Sequence, residues 1–369
     1  MFRIGVLLNP IAGFGGALAM HGTDQLPETR FAEAVAAGHA ERRLVTAVRE
    51  FQQKAQDAGT AAEFVTAPGI LGSSALDAAG IPNRSVDLTV DTQAGGRTTR
   101  LDTIAAARAL AAEGVDVLLI AGGDGTATDL AEAIGTDLPV VGVPSGVKMH
   151  SEVFARSPQS AGRLLADVVA GRARTEHADV LDVGADDESA VVGVLLAPRS
   201  AEVLQGAKRA TRGGSTDVRA IARELIASAP DATWIVGPGR TAGAVAEEFG
   251  FAPTLRGADV RHASGEVELD VDEQRLFEVA DGARLVLGVV GGQGFLLGRG
   301  NQQLSPRVID LIGADRVEIV ATSEKVAGLF PAELLVDLDD DAEQPVGLLG
   351  YRRVRIGPRH STVMKVRAA

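Results

Sequence analysis

An α/β fold is predicted, with a doubly wound parallel sheet in an N-terminal domain, residues 1–148. A mixed, more β-rich C-terminal domain follows, residues 149–369. Three observations predict it. Val117 to Ala121 is an unbroken apolar run, as expected of a strand buried on both faces of a parallel sheet. Strand, glycine turn and helix recur in that order at Gly13, Gly122, Gly237 and Gly291, the alternation that builds βαβ units. The tail from Gly347 to Val366 alternates instead, through Arg352, Arg353, Val354, Arg355 and Ile356, and reads as an antiparallel hairpin at a sheet edge.

In chain order, Arg3 to Leu8 is the first strand and runs into Asn9-Pro10-Ile11-Ala12-Gly13-Phe14-Gly15-Gly16. Glu41 to Ala58 has helical periodicity and stops at Gly59; Ala61 to Thr66 is a strand. Pro68-Gly69 and Gly72 make a turn before a short helix ending at Ala78, and Val86 to Val90 is a further strand candidate. Thr98-Thr99-Arg100-Leu101-Asp102 carries the Thr-x-x-Asp spacing of a capping box, opening a helix to Ala112. The strand ending in Gly122-Gly123-Asp124-Gly125-Thr126 comes next, then Pro139 to Val143 and the turn Pro144-Ser145-Gly146-Val147-Lys148.

The second half is less regular. A helix from Pro158 to Ala170 leads to Val180–Val183 and Ala190–Ala197, which pair as a hairpin across Asp186-Asp187-Glu188. Asp217 to Ala227 is helical; Thr233 to Val236 is a strand into Gly237-Pro238-Gly239 and another helix. Leu285 to Val290 enters Gly291-Gly292-Gln293-Gly294, followed by Gly298-Arg299-Gly300-Asn301, a helix from Pro306 and a strand from Val317 to Ala321. The acidic run Asp337 to Asp341 reads as a solvated loop.

Composition narrows the function. The formal net charge of -13 argues against nucleic acid or an anionic membrane as partner. The absence of cysteine removes disulfides, zinc thiolates and cysteine nucleophiles. No apolar run approaches the ~20 residues of a membrane span. The opening segment breaks at Asn9-Pro10, short of a signal peptide, so the expected location is cytoplasmic.

The Gly122–Thr126 turn carries the chemistry. Glycines let peptide N–H groups approach a polyanion, and the following helix presents its positive end. A carboxylate in such a turn repels phosphate, unless Asp124 takes the proton of a substrate hydroxyl while the turn holds a phosphoryl donor. The plainer reading is a βα turn whose Asp caps its own helix. Asn9 is either a turn former before proline or part of the donor site. Gly237-Pro238-Gly239 with Gly243 resembles a dinucleotide turn or an ordinary βα turn, and Asp259 lies at about the 20-residue spacing that suits a ribose. Of the histidines, His150 draws interest because it adjoins Lys148 and Ser151.

These segments together resemble the ATP-NAD kinase-like family, within the wider group that holds diacylglycerol and sphingosine kinases. The similarity is greater still to a bacterial and archaeal branch of polyphosphate- or ATP-dependent NAD kinases that includes proteins encoded beside acetoin-degradation genes. It rests on Asn9–Gly16, Thr98–Thr103, Ala121–Asp129, Pro144–Ser151, Gly237–Thr241 and Gly291–Pro306, in that order. Where the family pattern carries Ala-Arg after GGDGT, this chain has Ala127-Thr128; its GPGTT loop here reads Gly239-Arg240-Thr241.

The resemblance implies an NAD kinase-like fold and phosphoryl transfer from ATP or polyphosphate to the ribose 2′-hydroxyl of NAD. It implies Asp124 as the catalytic carboxylate. The binding residues it implies are Asn9, Gly13, Gly15, Gly16, Gly122, Gly123, Gly125, Thr126, Ser145, Gly146, Lys148, Gly292, Gly294 and Asn301. Magnesium (Mg2+) is expected with the triphosphate, although no carboxylate cage is evident to hold it, and homo-oligomers are common among such relatives. The alternatives are a kinase of another small alcohol or lipid, and a nucleotide-binding regulator without catalysis.

Overall fold

The structure is a computed structural model that describes residues 1–20, 26–90, 97–147, 149–183, 189–200, 215–290, 294–298, 300–329, 331–337 and 347–369. It divides into two compact units, Met1–Phe14 with Gly22–Ala207 and Gly15–His21 with Lys208–Ala369. Among the described residues no helix is long and apolar enough to cross a membrane.

The first unit comprises β1 (Phe2–Leu8), α1 (Phe31–Ala37), α2 (His39–Ala58), β2 (Ala62–Thr66), α3 (Ser73–Ala78), β3 (Arg84–Ser85), α4 (Arg100–Ala112), β4 (Val117–Gly122), α5 (Asp124–Ile134), β5 (Val140–Pro144), α6 (Pro158–Val169), β6 (Arg174–Val183) and β7 (Ser189–Arg199). Its five-stranded sheet is parallel throughout, in the order β3-β2-β1-β4-β5.

Every residue of β4 is buried, and its side chains alternate between two cores. Val117, Leu119 and Ala121 meet α2 and α6; Leu118 and Ile120 meet α4 and α5. That two-sided covering is why the strand is apolar without interruption. The helices begin and end where the local chemistry dictates. Thr99 and Asp102 form the expected capping box on α4, a device worth about 1 kcal/mol. Gly59 closes α2 in the left-handed conformation, φ 64°.

Two expectations are corrected. The strand anticipated at Val86–Val90 is limited to Arg84–Ser85, because Val86 donates once to Thr66 and the chain then turns, Leu88 N–H bonding back to the Val86 carbonyl. The anticipated division at 148/149 falls inside the first unit: α6 packs against α2, and the antiparallel β6–β7 ribbon packs its Ala178, Val180, Leu195 and Ala197 into the α5 side of the same sheet.

The second unit contains α7 (Ser215–Ser228), β8 (Trp234–Val236), α8 (Arg240–Glu248), β9 (Asp259–Arg261), β10 (Val267–Glu268), α9 (Glu273–Val279), β11 (Arg284–Gly288), β12 (Phe295–Leu297), α10 (Pro306–Ile312), β13 (Val317–Val320), α11 (Ser323–Ala327), β14 (Glu333–Val336), β15 (Gly350–Gly357) and β16 (His360–Ala368). One mixed sheet of nine strands runs β10-β9-β8-β11-β13-β15-β16-β14-β12, the more strand-rich half that the sequence predicts. One core joins it to α9 and α10 through Leu276, Val308, Ile309 and Ile312; another joins it to α7 and α8 through Ile221, Leu225, Val245 and Trp234. The tail hairpin is antiparallel as expected, but it is not at an edge. Strand β15 pairs in parallel with β13, and β16 pairs in parallel with β14.

Candidate active site

In the first unit, chain order reverses across the sheet between β1 and β4, since β2 and β3 lie to one side and β5 to the other. Open α/β sheets bind ligands outside the carboxyl ends of their strands at such a reversal. The ends of β1, β4 and β5 bring together Asn9, Gly13, Gly122, Gly123, Asp124, Gly125, Thr126, Ser145 and Gly146.

The three strand ends are stitched to one another. Asn9 N–H donates to the Ala121 carbonyl at 2.9 Å, and its Nδ2 donates to Thr126 Oγ1 at 3.2 Å. Its Oδ1 accepts from Ile11 N–H at 3.3 Å, so one side chain both shapes the turn after β1 and ties it to α5. The N–H groups of Ser145 and Gly146 both donate to the Gly122 carbonyl, at 2.9 and 3.0 Å. A Cβ on Gly146 would come within 2.8 Å of the Gly123 Cα, so the two turns touch backbone to backbone. Gly13, at φ 86°, brings the first loop down on His39 and on the Ser145 carbonyl. Beneath them the buried Arg43 Nε donates to the Pro144 carbonyl. Gly125 is different: a Cβ there would meet nothing within 4 Å, which leaves its face of the turn open.

Asp124 opens α5 but makes no cap on it; the N-cap is Gly123, without a side-chain bond. The carboxylate reaches across to the segment after β5. Its Oδ2 accepts from His150 N–H at 2.7 Å and its Oδ1 from Ser151 N–H at 3.0 Å. Burial pushes its pKa up from the ordinary aspartate value, and the nearby Asp182 on β6 adds like-charge repulsion; hydrogen bonds from Ser151 and His150 oppose both. A half-buried carboxyl with a raised pKa among glycine turns fits a proton acceptor better than a helix cap.

Sequence reasoning singles out His150 because it adjoins Lys148 and Ser151; the structure brings its main-chain N–H to Asp124. The peptide donors of His150 and Ser151 leave no signature in residue types, and the one available signal was their place just after the Pro144–Lys148 turn.

The remaining candidates divide. Lys148 and Gly292 lie outside the described residues, as does Arg299. Gly15, Gly16, Gly294 and Asn301 belong to the second unit. There the Gly15 carbonyl accepts from Met20 N–H at 2.9 Å, and Gly16 lies against the Gln302 side chain. Asn301 is buried, with Nδ2 donating to the Leu296 carbonyl at 2.7 Å and Oδ1 accepting from Gly298 N–H at 2.8 Å, so its amide braces the glycine turn. Gly294, at φ 77°, passes the Glu333 carbonyl at a distance only glycine tolerates.

Asp259, spaced from Gly239 to meet a ribose, is held by its own loop. It is buried and accepts from Thr254 N–H at 2.8 Å, from Asp270 N–H at 2.9 Å and from the Thr254 hydroxyl. Burial outweighs these donors and, with repulsion from Asp270, pushes its pKa up to about 6 from 3.8. The folded state therefore keeps a proton that the unfolded chain releases earlier. Its contribution to stability is complete below about pH 4 and is lost as pH rises through about 6, up to about 3 kcal/mol in all. Asp259→Asn should flatten that part of the stability curve, as read by urea unfolding between about pH 4 and 7.

Comparison with protein families adds two matches. Residues 4–173 match the ATP-NAD kinase N-terminal domain, and residues 255–366 match the ATP-NAD kinase C-terminal domain. No curated protein and no solved structure matches the chain. The first match spans every residue gathered at the β1, β4 and β5 ends.

Proposed function

Because the chain belongs to the ATP-NAD kinase family, whose members are phosphotransferases acting on a hydroxyl group, we propose that it phosphorylates the ribose 2′-hydroxyl of NAD, giving NADP, with ATP or polyphosphate as donor. The observation that carries this reading is the Asp124 carboxylate, turned away from its own helix and fixed by two peptide N–H groups among the glycine turns. In the reaction, Asp124 takes the proton of the 2′-hydroxyl as that oxygen forms its bond to the transferring phosphorus. The bond to the donor's bridging oxygen breaks, and ADP or shortened polyphosphate leaves with the electron pair.

Gly122 to Gly125 and the N-terminal turn of α5 supply peptide donors for phosphate oxygens. Lys148, on the strength of the resemblance, neutralises charge on the transferring group. Among the described residues no three His, Cys, Asp or Glu side chains converge as a metal cage. Magnesium therefore enters this proposal as the donor's own complex, neutralising phosphate charge.

The test incubates the purified protein with NAD and magnesium plus either ATP or polyphosphate, and follows NADP with an NADP-specific dehydrogenase. Product with one donor supports the proposal and names the donor. Tight NAD binding without product from either donor refutes it in favour of a nucleotide-binding regulator.

A further inference from the structure

The segment that meets Asp124 is itself held by one hydroxyl. Ser151 is fully buried. Its Oγ accepts from the Leu181 N–H of β6 at 3.0 Å and donates toward the Leu181 carbonyl at 3.4 Å. Next to it, Glu152 N–H donates to the Asp179 carbonyl at 3.0 Å, so the segment is joined to β6 at two consecutive residues. The same residue that makes this clasp presents its N–H to Asp124 Oδ1, and its predecessor presents the N–H to Oδ2.

We infer that Ser151 is a positioning residue for Asp124: by locking the His150–Ser151 main chain onto β6, its hydroxyl aims two peptide donors at the carboxylate and holds it in one orientation. This rests on the reading of Asp124 as the proton acceptor. Hydrogen bonds from Ser151 and His150 hold the acidity of Asp124 up against its burial, and a charged acceptor draws its donors more strongly than a neutral one. The other groups acting on the carboxylate from neighbouring elements are the Asp182 side chain of β6 and the peptide N–H of His150. A serine that merely fills space would leave the titration of Asp124 untouched.

The experiment follows the carboxyl-carbon resonance of Asp124, identified by its loss in Asp124→Asn, through a pH titration of the full chain. In Ser151→Ala the midpoint is expected to rise by about one pH unit, the size of one peptide hydrogen bond to the carboxylate lost as the segment loosens. Alongside it, kcat should fall about 10- to 100-fold with KM within about twofold, and the acid limb of the pH profile should move up with the carboxyl. Ser151→Thr, which keeps the hydroxyl, should restore most of both.

Wild-type protein gives a reading that needs no folded variant. The amide protons of His150 and Ser151 should shift with the Asp124 midpoint. An Asp124 titration unchanged in Ser151→Ala, or amide resonances indifferent to it, overturns the inference. Absence of NADP from every donor would overturn the proposed reaction instead, and the titration would still decide the role of Ser151.

Discussion

Asp124→Asn is expected to lower phosphoryl transfer by about 10²- to 10⁴-fold, the range supplied by a positioned proton acceptor. The amide keeps the shape of the carboxylate but cannot take a proton at neutral pH. It also sets an NH₂ group against one of the peptide donors of His150 and Ser151, which lie at 2.7 and 3.0 Å. Binding of NAD should change far less than turnover, because the lost interaction belongs to the transition state. A carboxylate serving as base works only when ionised, and burial raises the pKa of Asp124. Activity should therefore fall with decreasing pH at a midpoint above the ordinary aspartate range. Steady-state assays of both proteins across pH check both statements. A variant within a few-fold of wild type would remove Asp124 from the chemistry.

Gly13→Ala is expected to damage both the site and the stability of the first unit. A Cβ at residue 13 would sit 2.2 Å from His39 Cδ2 and 2.4 Å from the Ser145 carbonyl oxygen, on a backbone at φ 86°. The left-handed conformation alone costs an alanine about 1–3 kcal/mol. The collision cannot be relieved by a rotamer, since one partner is main chain, so the loop must lift. A displacement of about 1 Å in a phosphoryl-transfer site costs on the order of 10²-fold in rate. Gly59→Ala is the control. It shares the left-handed backbone, at φ 64°, but its Cβ meets nothing within 4 Å, so it should lose only the stability that this backbone costs an alanine, about 1–3 kcal/mol. Denaturant unfolding and NADP formation, measured on both variants, separate the two effects.

The sequence discloses what repeats locally. An unbroken apolar run, a capping box and glycine turns identify β4, α4 and the strand ends, because each depends on residues within one turn or one strand. The tail hairpin shows the limit. Its alternation marks two strands correctly, yet nothing within 347–366 announces that β13 and β14 flank it. Strands as short as β9, β10 and β12 carry no pattern of their own and exist through their neighbours. The site divides in the same way. Asp124, Thr126 and Asn9 are legible as side chains of suitable chemistry. The donors that hold Asp124 are peptide groups, which every residue owns. Asp259 and Asn301 are engaged within their own loops, where buried polar side chains make the same hydrogen bonds they would offer a ligand.

The interior place of β15 and β16 bears on how the polypeptide is made. The five-stranded sheet has all its strands once residue 144 has left the ribosome, so those parallel strands can gather while translation continues. The nine-stranded sheet has to wait. Until residues 350–368 emerge, β14 lacks its inner neighbour and the parallel strands from β8 to β13 end on an unpaired rim. For that interval the nascent second unit carries unpaired strand edges, the kind of surface that makes a partly formed sheet prone to aggregate.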